Sequence, residues 1–230
     1  MQQSTGIRVA SFNIEKSGQS STSDKKLQVS EFISGCMEQG IELIFLCEIH
    51  SARMDNYQEF ISSITEYYDC PNFEGGYSNG YTLLVRKGLN FKISHYTLKG
   101  LNREIVLVHN DLMAVSFAHF KSGRKPLTAS QLQDAAVFMK EAFGGNWAIT
   151  GDMNWDYSDF ERLRLPGGCT KATCWDQTQK SGGILDWCLS GSGISANCII
   201  HDMWPDYNLS EVFDMTGPDH RPVVFELNRV

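Results

Sequence analysis

"WAITGDMNWD", residues 147–156, holds two patterns in ten positions. Trp147, Ala148 and Ile149 are apolar, as a buried strand requires. The chain then turns at Gly151 and sets Asp152, Asn154 and Asp156 on alternate positions. Asp and Asn form turns readily, because their side chains hydrogen-bond their own backbone. An ordinary turn therefore explains the stretch. A site at the end of a core strand, where these oxygens hold something, explains it equally well. The rest of the chain has to separate the two.

Working outward, residues 7–14 ("IRVASFNI") alternate like a half-buried strand, and "IELIFLCEI" reads as a buried one. Between them a Ser-rich loop leads into a helix to about Gln39, capped by Ser23 or Asp24 and stopped by Gly40. This loop, 17–24, leaves the strand bearing Asn13 and could lie over a cleft. A second helix is expected over 55–67 and a third over 128–143. "YTLLVRK", "FKISHYTL", "EIVLVHN" and "LMAVSFAHF" read as consecutive strands. "SDFERLRL" suggests a short helical turn. "GILDWCLSG", "ISANCIIHD" and "PVVFEL" close the chain as strands. Many strands of mixed direction, with helices spread among them, favour an α/β sandwich of two packed sheets with outer helices over one doubly wound sheet.

Composition narrows the function. The 230 residues are expected to form a single domain spanning 1–230. No stretch approaches the roughly 20 apolar residues of a membrane span, and no secretory signal is seen, which favours an intracellular protein. Seven cysteines, an odd number with no tight framework, fit buried thiols in a reducing compartment. Cys169 and Cys174 are the one close pair where a bridge is conceivable. The net charge of −7 argues against strong non-specific affinity for nucleic acid. It leaves room for an enzyme that meets phosphate through a cation and a few local basic residues.

Polar residues recur at the ends of predicted strands: Asn13, Glu48, His119, Asp152 with Asn154, Asp186, and the Asp219–His220 pair before the last strand. Each alone has an ordinary reading, as a turn former, an edge charge or a satisfied core histidine. Together they suggest one convergent edge of a layered domain. Asn, Asp and Glu offer hard oxygen ligands suited to magnesium or manganese and poor for zinc. The two histidines can serve as acid, base or phosphate donors.

"SFNIEKSG", "LCEIH", "AHFKSG", "TGDMNWD", "LDWCLS" and "GPDHRPVVFEL" resemble the ordered motifs of the endonuclease/exonuclease/phosphatase family, from residue 7 to 227. The resemblance implies a four-layer α/β sandwich and a divalent-metal phosphodiesterase or phosphatase using Mg2+, with Mn2+ able to substitute. It implies metal ligation by Asn13, Glu48 and Asp219. It assigns Asp152 and Asn154 to the attacking water and the phosphate. His220 matches the catalytic histidine, Asp186 the carboxylate that orients it, and His119 the second histidine of the deoxyribonuclease and toxin-nuclease branch. Arg103 resembles a phosphate-contacting arginine of that branch. Two positions depart from the pattern: Cys47 stands where many members have Gln, and Pro218 where Ser or Thr usually precedes the Asp-His pair.

For the substrate, "LDWCLS" looks closer to abasic-site endonucleases, and His119 and Arg103 closer to deoxyribonuclease and the toxin nuclease. Nucleic acid is the expected partner, with DNA favoured over RNA and cleavage leaving 5′-phosphate and 3′-hydroxyl ends. A phosphoinositide or other small phosphate ester is the alternative, and an inactive binding scaffold a further one. Lys171 and Arg221 are candidate substrate contacts, as are Lys121, Arg124 and Lys125. All five read equally well as solvated loop charges. Trp175 could stack on a base or sugar, or be a partly buried core aromatic.

Overall fold

The computed structural model describes residues 6–17, 22–49, 64–70, 72–73, 80–98 and 103–230. In chain order its elements are β1 (Gly6–Ser17), α1 (Ser23–Glu38), β2 (Leu43–Ile49), β3 (Tyr68–Asp69), β4 (Asn72–Phe73), β5 (Gly80–Arg86), β6 (Lys92–Leu98), β7 (Arg103–His109) and β8 (Ala114–His119). There follow α2 (Lys125–Phe143), β9 (Trp147–Asp152), a 3-10 turn (Tyr157–Arg162), β10 (Thr170–Ala172), β11 (Asp186–Ser190) and β12 (Ile194–Cys198). Two one-turn helices, α3 (Ile200–Met203) and α4 (Leu209–Val212), precede β13 (Val223–Arg229).

The strands form two mixed sheets. One has seven strands, in the order β12-β13-β1-β2-β5-β3 with β4 also on β5; the other has six, in the order β10-β11-β9-β8-β7-β6. Each has a parallel pair near its centre, β1 with β2 and β8 with β9. The sheets pack face to face, with Phe45 of β2 stacked on Phe117 of β8 at 5.2 Å between ring centroids. Outside them lie the helices. Phe32 of α1 meets Phe12 of β1 edge-on at 5.1 Å. Leu132, Ala135, Ala136 and Met139 of α2 bury against Trp147 and Ile149 of β9. The result is the four-layer sandwich expected from the sequence.

Strand alternation positions the polar residues. Successive side chains on a strand point to opposite faces. On β8, Val115 and Phe117 join the core between the sheets, whereas Ala114 and Ala118 join the core under α2. His119 shares the parity of Phe117. On β9, Ala148 belongs to the inter-sheet core and Ile149 to the α2 side, so Asp152 shares the inward parity. On β11, Cys188 is inward and Trp187 outward, which sets Asp186 inward. On β1, Phe12 faces α1, leaving Asn13 inward. All four polar side chains thus face the space between the sheets, at one edge.

Several expectations are corrected. Thr22, rather than Ser23 or Asp24, caps α1, its hydroxyl accepting the Lys25 N–H at 3.3 Å. α2 begins at Lys125, with Pro126 in its first turn, where the missing N–H goes unused. The strand expected to run to Asp202 stops at Cys198, because Ile200 and Met203 bury as a helical turn. Gly183–Leu185 lie outside β11, with Gly183 at φ 92°. β3, β4 and β10, of two or three residues each, are too short to leave a periodic signature. Of the helix expected at 55–67, residues 55–63 lie outside the described residues, as do residues 18–21 of the Ser-rich loop. Cys169 and Cys174 are free thiols, like the other five cysteines. Among the described residues no helix is long and apolar enough to cross a membrane.

Candidate active site

Asp152 is the centre of the edge. In register it stands opposite His119 on parallel β8 and opposite Asp186 on antiparallel β11. Gly151 makes this possible. Its φ is 134°, and a Cβ there would lie 2.1 Å from the Ala118 carbonyl oxygen. Beyond it, Asp152 Oδ1 accepts the Asn154 N–H at 2.9 Å, with Asn154 at φ 47°. The Asn154 side-chain amide donates to the Phe120 carbonyl at 2.9 Å and ties the turn back to β8. Asp156 instead caps the 3-10 turn and accepts the Ile184 N–H at 3.2 Å. The stretch 147–156 is therefore both things: Asp156 is a turn former, and Asp152 belongs to a cluster.

The other sheet contributes Asn13 and Glu48. The β2 ladder is irregular between Cys47 and Ile49, and Glu48 adopts φ 59°. That left-handed conformation is unfavourable for a residue with a side chain, and such strain gathers at functional sites. Asn13 Nδ2 donates to Asp152 Oδ2 at 2.9 Å and to Glu48 Oε1 at 3.4 Å. Its Oδ1 accepts the Glu15 N–H at 3.0 Å, a donor only an oxygen can meet, which fixes the amide orientation. Asn13 thus contacts both carboxylates through its N–H groups.

His119 bridges the two carboxylates, its Nε2 at 3.5 Å from Glu48 and 3.6 Å from Asp152. Arg103 donates to the His119 carbonyl at 3.1 Å and approaches Nδ1 at 3.4 Å. A guanidinium only donates, so Nδ1 accepts and the proton sits on Nε2, facing the carboxylates. Burial pushes this imidazole down to about 4; the charge of Asp152 opposes that and Arg103 adds to it. His119 is neutral at pH 7.

His220 is the opposite case. Its Nδ1 donates to Asp186 Oδ2 at 2.7 Å, and both side chains are buried. Burial alone would lower its pKa. The charges of Asp186 and Asp152 and the hydrogen bond outweigh burial and raise it to about 10. Asp219, next to it, lies 3.9 Å from Nε2. The Asp219 N–H donates to Glu15 at 3.1 Å, and its carboxylate accepts from Gln179 at 3.3 Å.

The donor set fits a hard divalent cation. Burial raises the carboxyls of both Glu48 and Asp152, with neighbouring carboxylates adding to the effect. Such crowding of acidic oxygens is relieved by positive charge. Ligand atoms of Asp152, Asp186 and His220 lie within 4.8 Å of one another. In that trio His220 already holds Asp186, and Asn13, Glu48 and Asp219 are the groups that could hold a cation beside Asp152.

Four sequence candidates have work elsewhere. Trp175 is 7% exposed, and its indole N–H donates to the Pro222 carbonyl at 2.6 Å. It is the core aromatic of the two readings. Arg221 covers the Trp175 ring at 5.0 Å and donates to the Phe213 carbonyl. Lys171 donates to the Tyr157 carbonyl and sits over the Tyr157 and Phe160 rings. Lys125 pairs with Asp159 at 3.5 Å. Sequence reasoning missed Glu15, Thr178 and Gln179, which brace the cluster. Glu15 lies within the quoted "SFNIEKSG" stretch without an assigned role, and no motif marks Thr178 or Gln179, since their partners come from distant segments.

A family model described as the endonuclease/exonuclease/phosphatase family matches residues 10–207. The chain belongs to that family. No curated protein sequence matches it significantly. Solved structures of similar fold include the human Nocturnin catalytic domain with bound sulfate (14% identity, covering 100% of this chain and 97% of that one, TM-score 0.68). A Bacteroides vulgatus endonuclease/exonuclease/phosphatase is similar at 14% identity, covering 98% and 100%, with TM-score 0.70. A D. rerio TDP2 complexed with single-strand DNA product is similar at 14%, covering 97% and 99%, with TM-score 0.62. Members of the endonuclease/exonuclease/phosphatase family hydrolyse phosphoesters and generally depend on a divalent metal. The match ends before Asp219 and His220, which the geometry here joins to the remaining cluster.

Proposed function

We propose that the chain, acting as one catalytic unit, is a Mg2+-dependent phosphodiesterase that cleaves nucleic acid, DNA in preference to RNA, to 5′-phosphate and 3′-hydroxyl ends. One observation carries the reading. Asp152 is held between a neutral histidine, His119, and a buried, charged histidine–carboxylate pair, His220–Asp186. Two histidines in opposite charge states beside one carboxylate suit acid–base work on a charged ester. The complex of the similar TDP2 with single-strand DNA product supports the substrate class.

Asn13, Glu48 and Asp219 would hold the metal. When bound, it supplies charge neutralisation at a phosphate oxygen and lowers the pKa of water. The remaining steps belong to the chain. Asp152, whose carboxyl is raised by burial, orients water and takes its proton. The water oxygen bonds to phosphorus as the bond from phosphorus to the 3′-oxygen breaks, and the departing 3′-oxygen takes a proton from solvent water to become the 3′-hydroxyl. His220 Nε2 donates to a phosphate oxygen as charge builds there, and Asp186 keeps that ring aligned. Arg103 offers its remaining guanidinium donors to a second oxygen, His119 keeps its Nε2–H toward Glu48 and Asp152, and Asn154 shapes the turn that presents Asp152.

The test sets metal-stripped protein, with and without added Mg2+ or Mn2+, against single-stranded DNA, supercoiled plasmid, RNA and a phosphoinositide in parallel. Metal-dependent DNA cleavage is expected. Phosphate release from the inositide with no nucleic-acid cleavage would move the assignment to small phosphate esters. Inertness toward all four would make the chain a binding scaffold.

A further inference from the structure

The Asp186–His220 pair is assembled from segments far apart in sequence, and one side chain is shared between them. Thr178 is fully buried. Its hydroxyl oxygen accepts the N–H of Leu185 at 2.7 Å and of Asp186 at 2.9 Å, fixing the first residue of β11. Its own carbonyl accepts the Arg221 N–H at 2.7 Å. The next residue, Gln179, forms a bridge with His220, and the Lys180 N–H donates to the Asp219 carbonyl at 2.8 Å. Thus the backbone of 178–180 holds the His220 segment while the Thr178 hydroxyl holds the Asp186 segment. Asp186 and His220 meet through one residue whose hydrogen bonds go to the main chain of both segments.

We infer that Thr178 is a positioning residue that sets the Asp186–His220 hydrogen bond by clamping the start of β11 to the 219–221 segment. Its catalytic consequence rests on the proposed phosphodiesterase reading; its geometric consequence does not. Valine in its place keeps the shape and leaves two buried N–H groups without an acceptor. Alanine leaves room for water to reach them. Serine keeps the acceptor. A main-chain shift of a few tenths of an ångström at Asp186 lengthens a 2.7 Å bond directly.

The experiment compares Thr178→Ser, Thr178→Val and Thr178→Ala with the wild type by two independent readouts. The first is the downfield proton resonance of His220 Nδ1–H, identified by its loss in His220→Ala. The second is kcat and KM for bis(4-nitrophenyl) phosphate with Mg2+. Thr178→Ser should match the wild type in both. Thr178→Val and Thr178→Ala should shift or broaden the resonance and lower kcat by roughly 10–100-fold, the usual effect of losing a group that orients a catalytic ligand. KM should move less than about threefold. Wild-type resonance and kcat in either variant would overturn the inference. So would failure of both to fold, which would make Thr178 a folding residue only. Should the wild type itself be inert toward the diester with Mg2+ and Mn2+, the phosphodiesterase reading falls, and the resonance alone still decides the role of Thr178.

Discussion

His119 and His220 have the same side chain and opposite charge states, because of their neighbours. His119 is buried with an arginine against Nδ1, so it stays neutral. His220 is as buried, yet Asp186 accepts from its Nδ1 and Asp152 lies close by, so it holds its proton to about pH 10. The sign of the resulting pH dependence follows. A histidine raised in the fold stabilises it fully below the unfolded value, near 6.5, and loses that contribution as pH rises through about 10. In metal-free protein, melting temperature should fall between pH 7 and 10 more in the wild type than in His220→Ala. Asp186→Asn should move the alkaline limb of the activity profile to lower pH. Asp186→Asn or His220→Ala should each cost roughly 10²–10⁴ in rate. The double variant should cost little more than the worse single one, since residues acting as a unit are non-additive. Additive losses across the cycle would mean that the two act separately.

At the scale of elements, the fold turns strand alternation into a site. Asn13, His119, Asp152 and Asp186 face inward because each shares parity with an inward apolar residue two or four positions away, a pattern readable in the sequence. Their convergence on one edge was suggested by their recurrence at strand ends and made specific by the family motifs, because alternation fixes a face and leaves the neighbouring strand undetermined. Local breaks in alternation were not legible. Glu48 turns its carboxylate toward His119 through a left-handed irregularity in β2 that no residue type announces. Trp175 read equally well as a stacking platform or a core aromatic, because burial of an aromatic beside basic residues is not visible in sequence. The hydrogen bond to Pro222 is a tertiary event. Gly151 was legible as a turn residue, but the reason it must be glycine is the Ala118 carbonyl. Gly151→Ala should cost about 1–3 kcal/mol, as overpacking does, and should lower activity by displacing Asp152. Chemical denaturation and a rate assay check both effects. A stable, fully active variant would show that β8 can yield at that contact.

For the whole molecule, a net charge of −7 leaves little general attraction for nucleic acid, so phosphate must be met locally. The site itself is acidic, with the Glu48 and Asp152 carboxyls raised by burial. In metal-free protein these two groups add stability as pH falls through their raised range, and a divalent cation relieves the same crowding at neutral pH. Mg2+ at about 100 times its dissociation constant would add roughly 2.7 kcal/mol by linkage. At roughly 2–4 °C per kcal/mol for a chain of this size, melting temperature should rise by several degrees. Glu48→Gln should keep the fold and lose most of that rise along with most activity. A collapse of its melting temperature without metal would make Glu48 structural.

The central claim is that the edge around Asp152 hydrolyses phosphodiesters with a bound metal. Its most direct test is cleavage of a 5′-labelled single-stranded DNA by metal-stripped protein, before and after adding Mg2+, with the product ends mapped and Asp152→Asn run alongside. Cleavage is expected only with metal, with 5′-phosphate and 3′-hydroxyl ends, and with a loss of roughly 10² or more in Asp152→Asn. Undiminished cleavage by the stripped protein, or by Asp152→Asn, would contradict it.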